Sequence, residues 1–207
     1  MTAPRWRESV ESYIRAEALP KDKFGHQPRL YALACRLGQE MIYDDDVLFA
    51  AAWMHDLGVF VGHRPEDAEE LARWNHIPYT IARTQELLKI WGFPAAKLQE
   101  VAHAIRTHQA QDAPGIDEAE PVEATLLRDA DILEQLGAIG VLRSVVKVGR
   151  DTRYETFTSV LPVLKRALEE LPCKLRLSTS RDLAAVRVEV LRSFISSIEE
   201  EAGSLLF

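Results

Sequence analysis

The run Val47-Leu48-Phe49-Ala50-Ala51-Ala52-Trp53-Met54-His55-Asp56-Leu57-Gly58 contains no polar side chain until an imidazole and a carboxylate arrive side by side. A helix drawn from Val47 to Leu57 is apolar on every face, which predicts a buried helix rather than an amphipathic surface one. It carries His55 and Asp56 into the interior. Leaving a buried carboxylate unpaired costs on the order of several kcal/mol, and the neighbouring imidazole offers a second donor atom to the same guest. One turn back, Ala51 and Ala52 leave room for something to approach, and Gly58 reads as the C-cap. A metal ion would satisfy both polar groups.

Reading outward, Asp44-Asp45-Asp46 supplies an N-cap and first-turn negative charge for this helix. The triple aspartate lacks the alternating ligands, glycine and closing glutamate of a calcium loop. Upstream, Trp6, Val10, Tyr13 and Ile14 fall at helical spacing across residues 4 to 18. His26 follows Gly25, with Pro28 placed as an early-helix proline, and should sit exposed at the mouth of a helix running through Leu30, Leu33, Ala34 and Leu37. Downstream, residues 59 to 75 form a polar segment with a short helix over Ala68 to Trp74. His76 opens a helix marked by Ile81, Leu87, Leu88 and Trp91 that stops before Gly92-Phe93-Pro94. Leu98, Val101, Ala102 and Ile105 mark the next, with His103 and His108 near its end. After a loop at 109 to 120, Pro121 starts a helix through Leu126, Ala130 and Leu133 that stops near Gly137. Three more are expected at Ile139 to Val148, Thr156 to Leu171 and Arg181 to Ile198, the second interrupted by Pro162. No alternating run makes a convincing strand, so the chain reads as all-α.

The 207 residues are 47% hydrophobic, enough for one sizeable core with or without an appended subdomain. Cys35 and Cys173 lie far apart in apolar segments and read as reduced core residues. The opening lacks the apolar region of a signal peptide and no window approaches the ~18 apolar residues of a membrane span, so a cytoplasmic location is expected. Net charge is −7, from 25 basic and 32 acidic residues, which disfavours a polynucleotide partner. A small anionic substrate stays open, because a metal and nearby arginines reverse the sign of a single pocket.

All six histidines fall between positions 26 and 108, several at helix ends. Imidazoles and carboxylates converging from separate helices are how helical proteins build hydrolytic metal sites. The ordered set His26 with Arg29, then His55-Asp56-Leu57-Gly58, then Arg128-Asp129-Ala130-Asp131 ahead of Gly137-Ala138-Ile139-Gly140, resembles the HD superfamily of metal-dependent phosphohydrolases. The late pattern is similar to the small single-domain bacterial members. The resemblance implies a single HD-type domain over 1-207, an HD core over 22-142 built on about five helices, additional N-terminal helices, and a C-terminal helical extension over 143-207.

It further implies that His26, His55, Asp56 and one late aspartate are metal ligands. The family context matches Ala130-Asp131-Ile132-Leu133 and selects Asp131, whereas helical phase favours Asp129, nearer the Leu126-Ala130-Leu133 stripe. His76 and His108 match positions that carry two further histidines in some HD proteins. They stand as ligands of a second metal, substrate contacts or plain helix-end residues, and with Asp56 they are the catalytic candidates. His103 does not share the helix face of His108. His63 reads as a solvated loop residue, and Arg29, Arg106 and Arg128 are candidates for substrate phosphate.

The implied activity is metal-assisted hydrolysis of a phosphoester or phosphoanhydride bond in a small molecule, with a nucleotide expected. The mixed nitrogen and oxygen set suits Mn, Fe, Co or Ni, with Mg open. The alternatives are a di-iron oxygenase of HD type and a non-catalytic nucleotide-sensing module. The additional C-terminal helices leave a homodimer open.

Overall fold

The computed structural model describes residues 5–109, 120–150 and 154–205. Among them there are ten α-helices and no strand, so the all-α expectation holds. None of these helices is long and apolar enough to cross a membrane. The described residues form two compact units that divide within one helix, the first ending at Arg128 and the second beginning at Asp129.

The first unit is organised around α3 (Asp45–Met54), all eight of whose residues from Val47 to Met54 are buried. α1 (Arg5–Glu17), α2 (His26–Leu37) and α6 (Leu98–Thr107) pack on it, and α5 (His76–Ile90) packs on α6. Each outer helix turns the apolar stripe read from its sequence inward: Trp6, Val10 and Ile14 from α1, Leu30, Leu33, Ala34 and Leu37 from α2, and Leu98, Val101, Ala102 and Ile105 from α6. The short α4 (Ala68–Ala72) buries nothing. On α5 the inward residues are Thr80, Thr84, Leu87 and Leu88, while Ile81 is only half-buried.

α7 (Val122–Glu134) supplies the first unit with Ala124, Leu126 and Leu127, all fully buried. The 109 to 120 loop lies, apart from its two end residues, outside the described residues.

The second unit holds α8 (Gly137–Val145), α9 (Phe157–Glu170) and α10 (Ser178–Ala202), each packed on the other two. These are the three helices expected at the C-terminal end, with shifted bounds. α9 is not interrupted by Pro162, which sits in its second turn and forfeits one backbone hydrogen bond rather than ending the helix. Gly137 has φ of 70° and starts α8 instead of merely stopping α7; its missing side chain lets the Cβ of Arg187 come to 3.1 Å of where a methyl group would stand. Cys173 is exposed rather than part of a core, and Cys35 is half-buried; both are free thiols.

The N-terminal end of α3 is where the aspartate triplet acts. Asp44 is the N-cap, its Oδ1 accepting from the N–H groups of Asp46 (3.0 Å) and Val47 (3.2 Å). Arg7 reaches Asp45 and Asp46 at 2.8 and 2.6 Å, and Lys97 reaches Asp44 and Asp46 at 2.7 and 3.2 Å. Burial raises the Asp46 carboxyl, but its bonds to Arg7 and Lys97 outweigh this and leave it lowered. A carboxyl lowered in the folded state stabilises above the unfolded carboxylate range near pH 4 and loses that contribution as pH falls below it.

Two outcomes follow. Asp44→Ala should cost about 1 kcal/mol in urea unfolding, with Asp44→Asn retaining most of the cap. The stability difference between wild type and Asp46→Asn should shrink as pH falls from about 5 toward 3, by the same measurement.

Candidate metal centre

Four helix ends deliver the five side chains of the centre. α3 stops at Met54, so His55 is its C-cap and Asp56 stands outside the helix, just before a 3-10 turn over Leu57–Val59. The ring Nδ1 of His55 lies 3.0 Å from the carbonyl of Ala52. A carbonyl only accepts, so Nδ1 carries the proton and Nε2 presents a lone pair. His108 repeats the device after α6: its Nδ1 donates to the carbonyl of Ile105 at 2.6 Å, again three residues back. His26 and His76 stand at the opposite polarity, as the first residues of α2 and α5.

The Nε2 atoms of His26 and His55 are 3.2 Å apart. With a lone pair on His55 Nε2, such a contact is favourable only around a proton or another cation. Metal–nitrogen bonds of about 2.0–2.1 Å place neighbouring ligand atoms roughly 3 Å apart, so the spacing fits one edge of a coordination shell. Asp56 turns its Oδ2 toward this pair, 3.6 Å from His55 Nε2 and 3.9 Å from His26 Nε2, and its Oδ1 toward His76 Nε2 at 3.7 Å. The His108 ring centroid lies 4.9 Å from that of His55 and 6.0 Å from that of His76. Among the described residues, two groups could each hold a metal ion: His26, His55 and Asp56, and Asp56, His76 and His108. The carboxylate is common to both.

Burial pushes the Asp56 carboxyl up, while the imidazoles around it, whenever they carry a proton, pull it below the usual carboxylate range. The Asp56 side chain is 21% exposed while that of His55 is 0% exposed, so the centre meets solvent on the carboxylate side.

Several expectations are revised. His26 is buried, because the first turn of α2 packs against α3 rather than opening to solvent. Gly58 is not a C-cap: it lies in the turn after the helix, its N–H donating to Thr80 Oγ1 (3.0 Å) and its carbonyl accepting from Trp74 Nε1 (2.8 Å). His63 is not solvated. Its ring bridges Glu17 Oε2 (2.9 Å) and the Tyr79 hydroxyl (2.8 Å), with only 7% of the side chain exposed.

Of the three arginines, Arg29 and Arg106 are exposed on α2 and α6. Arg128 is buried, its guanidinium held by the carbonyl of Thr107 and the carboxylate of Glu120. His103 is half-buried, its carbonyl accepting from the Thr107 hydroxyl at 3.0 Å.

The two late aspartates lie on the part of α7 that belongs to the second unit. Within that unit Asp129 is fully buried and accepts from the backbone N–H groups of Arg176 (3.1 Å) and Leu177 (2.9 Å). Asp131 is half-buried beside Arg143, at 3.8 Å.

The contribution of Thr80 was missed from sequence. The spacing of Thr80, Thr84, Leu87 and Leu88 would have revealed it had threonine been counted among core residues.

The HD-domain family profile matches residues 24–136, more than half of the 207 residues. The chain belongs to the HD-domain family. Among solved structures it is similar to that of Bacillus subtilis YpgQ, with 21% identity, a TM-score of 0.72, and 99% of this chain and 100% of that one covered. The structure of YpgQ in complex with ADP matches with 21% identity and a TM-score of 0.71 over 97% of each chain. A Bacillus thuringiensis protein described as an HD-superfamily hydrolase matches with 18% identity and a TM-score of 0.65 over 94% of this chain and 95% of that one. No curated protein matches by sequence.

A methyl group on Gly58 would stand 2.9 Å from Thr80 Oγ1 and 3.0 Å from both the Cβ and the carbonyl oxygen of His76. Gly58→Ala should therefore destabilise by about 1–3 kcal/mol, as expected for overpacking. It should also weaken metal binding by displacing His76, read by thermal unfolding and by metal titration.

Proposed function

We propose that the chain is a metal-dependent phosphohydrolase that cleaves a phosphoester or phosphoanhydride bond of a small phosphorylated molecule, with nucleotides as the substrate class. The observation that carries this reading is the convergence of four imidazoles on the two oxygens of Asp56. His26, His55 and Asp56 would hold one divalent ion. His76 and His108 would hold a second with the other oxygen of Asp56, or contact the substrate phosphate. A mixed nitrogen and oxygen set of this kind suits Mn, Fe, Co, Ni or Mg. Such a cation, when bound, supplies Lewis acidity toward a phosphoryl oxygen and lowers the pKa of water toward neutrality.

The remaining work falls to the chain. Asp56, partly exposed, would orient the attacking water through its carboxylate oxygens. The buried, backbone-tethered rings of His55 and His108 hold their Nε2 atoms in place without reorganisation. Arg29 and Arg106, exposed and cationic, are assigned to the substrate phosphate. The family pattern assigns the late ligand to Asp131, and metal retention in Asp131→Ala against Asp129→Ala tests that choice. Support for a nucleotide comes from the ADP bound to YpgQ.

Elemental analysis of purified protein should find a divalent metal, and a nucleotide panel should reveal metal-dependent phosphate release. His55→Ala and Asp56→Ala should each lower that activity by more than ~100-fold, beyond the range for groups that only support a ligand. Full hydrolysis in either variant would overturn the assignment. So would oxygen consumption by iron-loaded protein in place of hydrolysis.

A further inference from the structure

Arg128 is a buried cation whose donors point away from solvent. Its side chain is 9% exposed, and the side chain of its partner Glu120 is 7% exposed. Nε and Nη2 both donate to the carbonyl of Thr107, at 2.9 and 2.8 Å. Nη2 and Nη1 donate to the two carboxylate oxygens of Glu120, at 2.9 and 3.2 Å. The hydroxyl of Thr125, on the same helix as Arg128, donates to Glu120 at 3.0 Å. One planar guanidinium thus joins a backbone carbonyl on one edge and a carboxylate on another, a fork that an ammonium group does not reproduce.

The carbonyl it holds has a particular place. Thr107 is the last residue of α6, so its oxygen is among the carbonyls that receive no bond from the helix itself. The peptide plane containing that oxygen also contains the nitrogen of His108. Holding that oxygen with two bonds from one rigid guanidinium edge restrains the plane from which the His108 side chain departs. The ring is held at its other end by the bond from Nδ1 to the carbonyl of Ile105. Between them, these two restraints determine where His108 Nε2 points, 2% of the residue being exposed to solvent.

We infer that Arg128 is a positioning residue for His108, with Glu120 as its counter-charge, rather than a phosphate contact. The inference rests on the proposed metal centre in one respect, that His108 serves there. Arg128 does not touch the ion or the substrate in this assignment. Its effect is transmitted through the Thr107–His108 peptide, and it concerns the group formed by Asp56, His76 and His108.

The test is a double-mutant cycle on metal-free protein titrated with Co(II), reading affinity and the visible absorption of the bound ion. Arg128→Gln should weaken Co(II) binding at the His108-containing site by about 10–100-fold, the range for groups that orient a ligand, and alter the absorption band. His108→Ala should weaken the same site. The double variant should be no weaker than His108→Ala alone, since Arg128 has nothing left to position. Arg128→Lys keeps the charge beside Glu120 but loses the fork, so it should retain more stability than Arg128→Gln while still weakening Co(II) binding. If Arg128→Gln does not fold, Arg128→Lys and Glu120→Gln carry the same cycle. Loss of thermal stability with wild-type Co(II) affinity and spectrum, or additive effects in the double variant, would overturn the inference while leaving the metal centre intact. A wild-type protein that binds no Co(II) would instead overturn the metal centre, and the role of Arg128 with it.

Discussion

A carboxylate held among four imidazole rings, in surroundings made apolar by the helices that carry them, is favourable only when positive charge accompanies it. Asp56 is that carboxylate, and the arrangement of the first unit follows from supplying it with partners. His55 and His108 arrive at the C-terminal ends of α3 and α6, where backbone carbonyls lack helical donors. Each ring spends its Nδ1–H on the carbonyl three residues back. One hydrogen bond thereby caps a helix and fixes the nitrogen that faces the centre.

His26 and His76 come from helix starts and complete the set from the other side. Tight backbone approach makes this possible near Asp56, where Gly58 lets the turn after α3 lie against the first turns of α5. At the far end of α3 the requirements are different. Asp44 caps the helix, and Arg7 and Lys97 neutralise the triplet, so the charge there is structural. The same residue type, aspartate, thus serves backbone capping at one end of the helix and the candidate metal centre just beyond the other.

Much of this was legible before any coordinates. The unbroken apolar run into His55 and Asp56 predicted a buried helix and a buried polar pair, and α3 is buried along its length from Val47. The helix start at His26 follows from Gly25 and Pro28 and that at His76 from the apolar stripe beyond it, and α2 and α5 begin at these residues. Where local pattern and structure part, the partner comes from a distant element. His63 lies in a polar segment and reads as solvated, yet Glu17 and Tyr79 reach it from positions 46 and 16 residues away. Arg128 reads as a candidate for substrate phosphate, and the structure places its guanidinium against the carbonyl of Thr107 and the carboxylate of Glu120. Gly58 reads as a cap because glycine often ends helices, whereas its role is set by the approach of α5.

The sequence by itself determined the all-α class, the family, the order of the helices and the residue types brought to the centre, because apolar periodicity, caps and the HD motif are written in neighbouring residues. Only the tertiary structure decided which oxygen of Asp56 faces which histidine, how the rings of His55 and His108 are tethered, and that Arg128 and His63 are engaged inside the protein. The physical reason is range. A helix is selected by residues three and four apart, but the partner of a polar side chain is chosen by whichever helix packs beside it. That choice depends on distances between elements that no local pattern encodes.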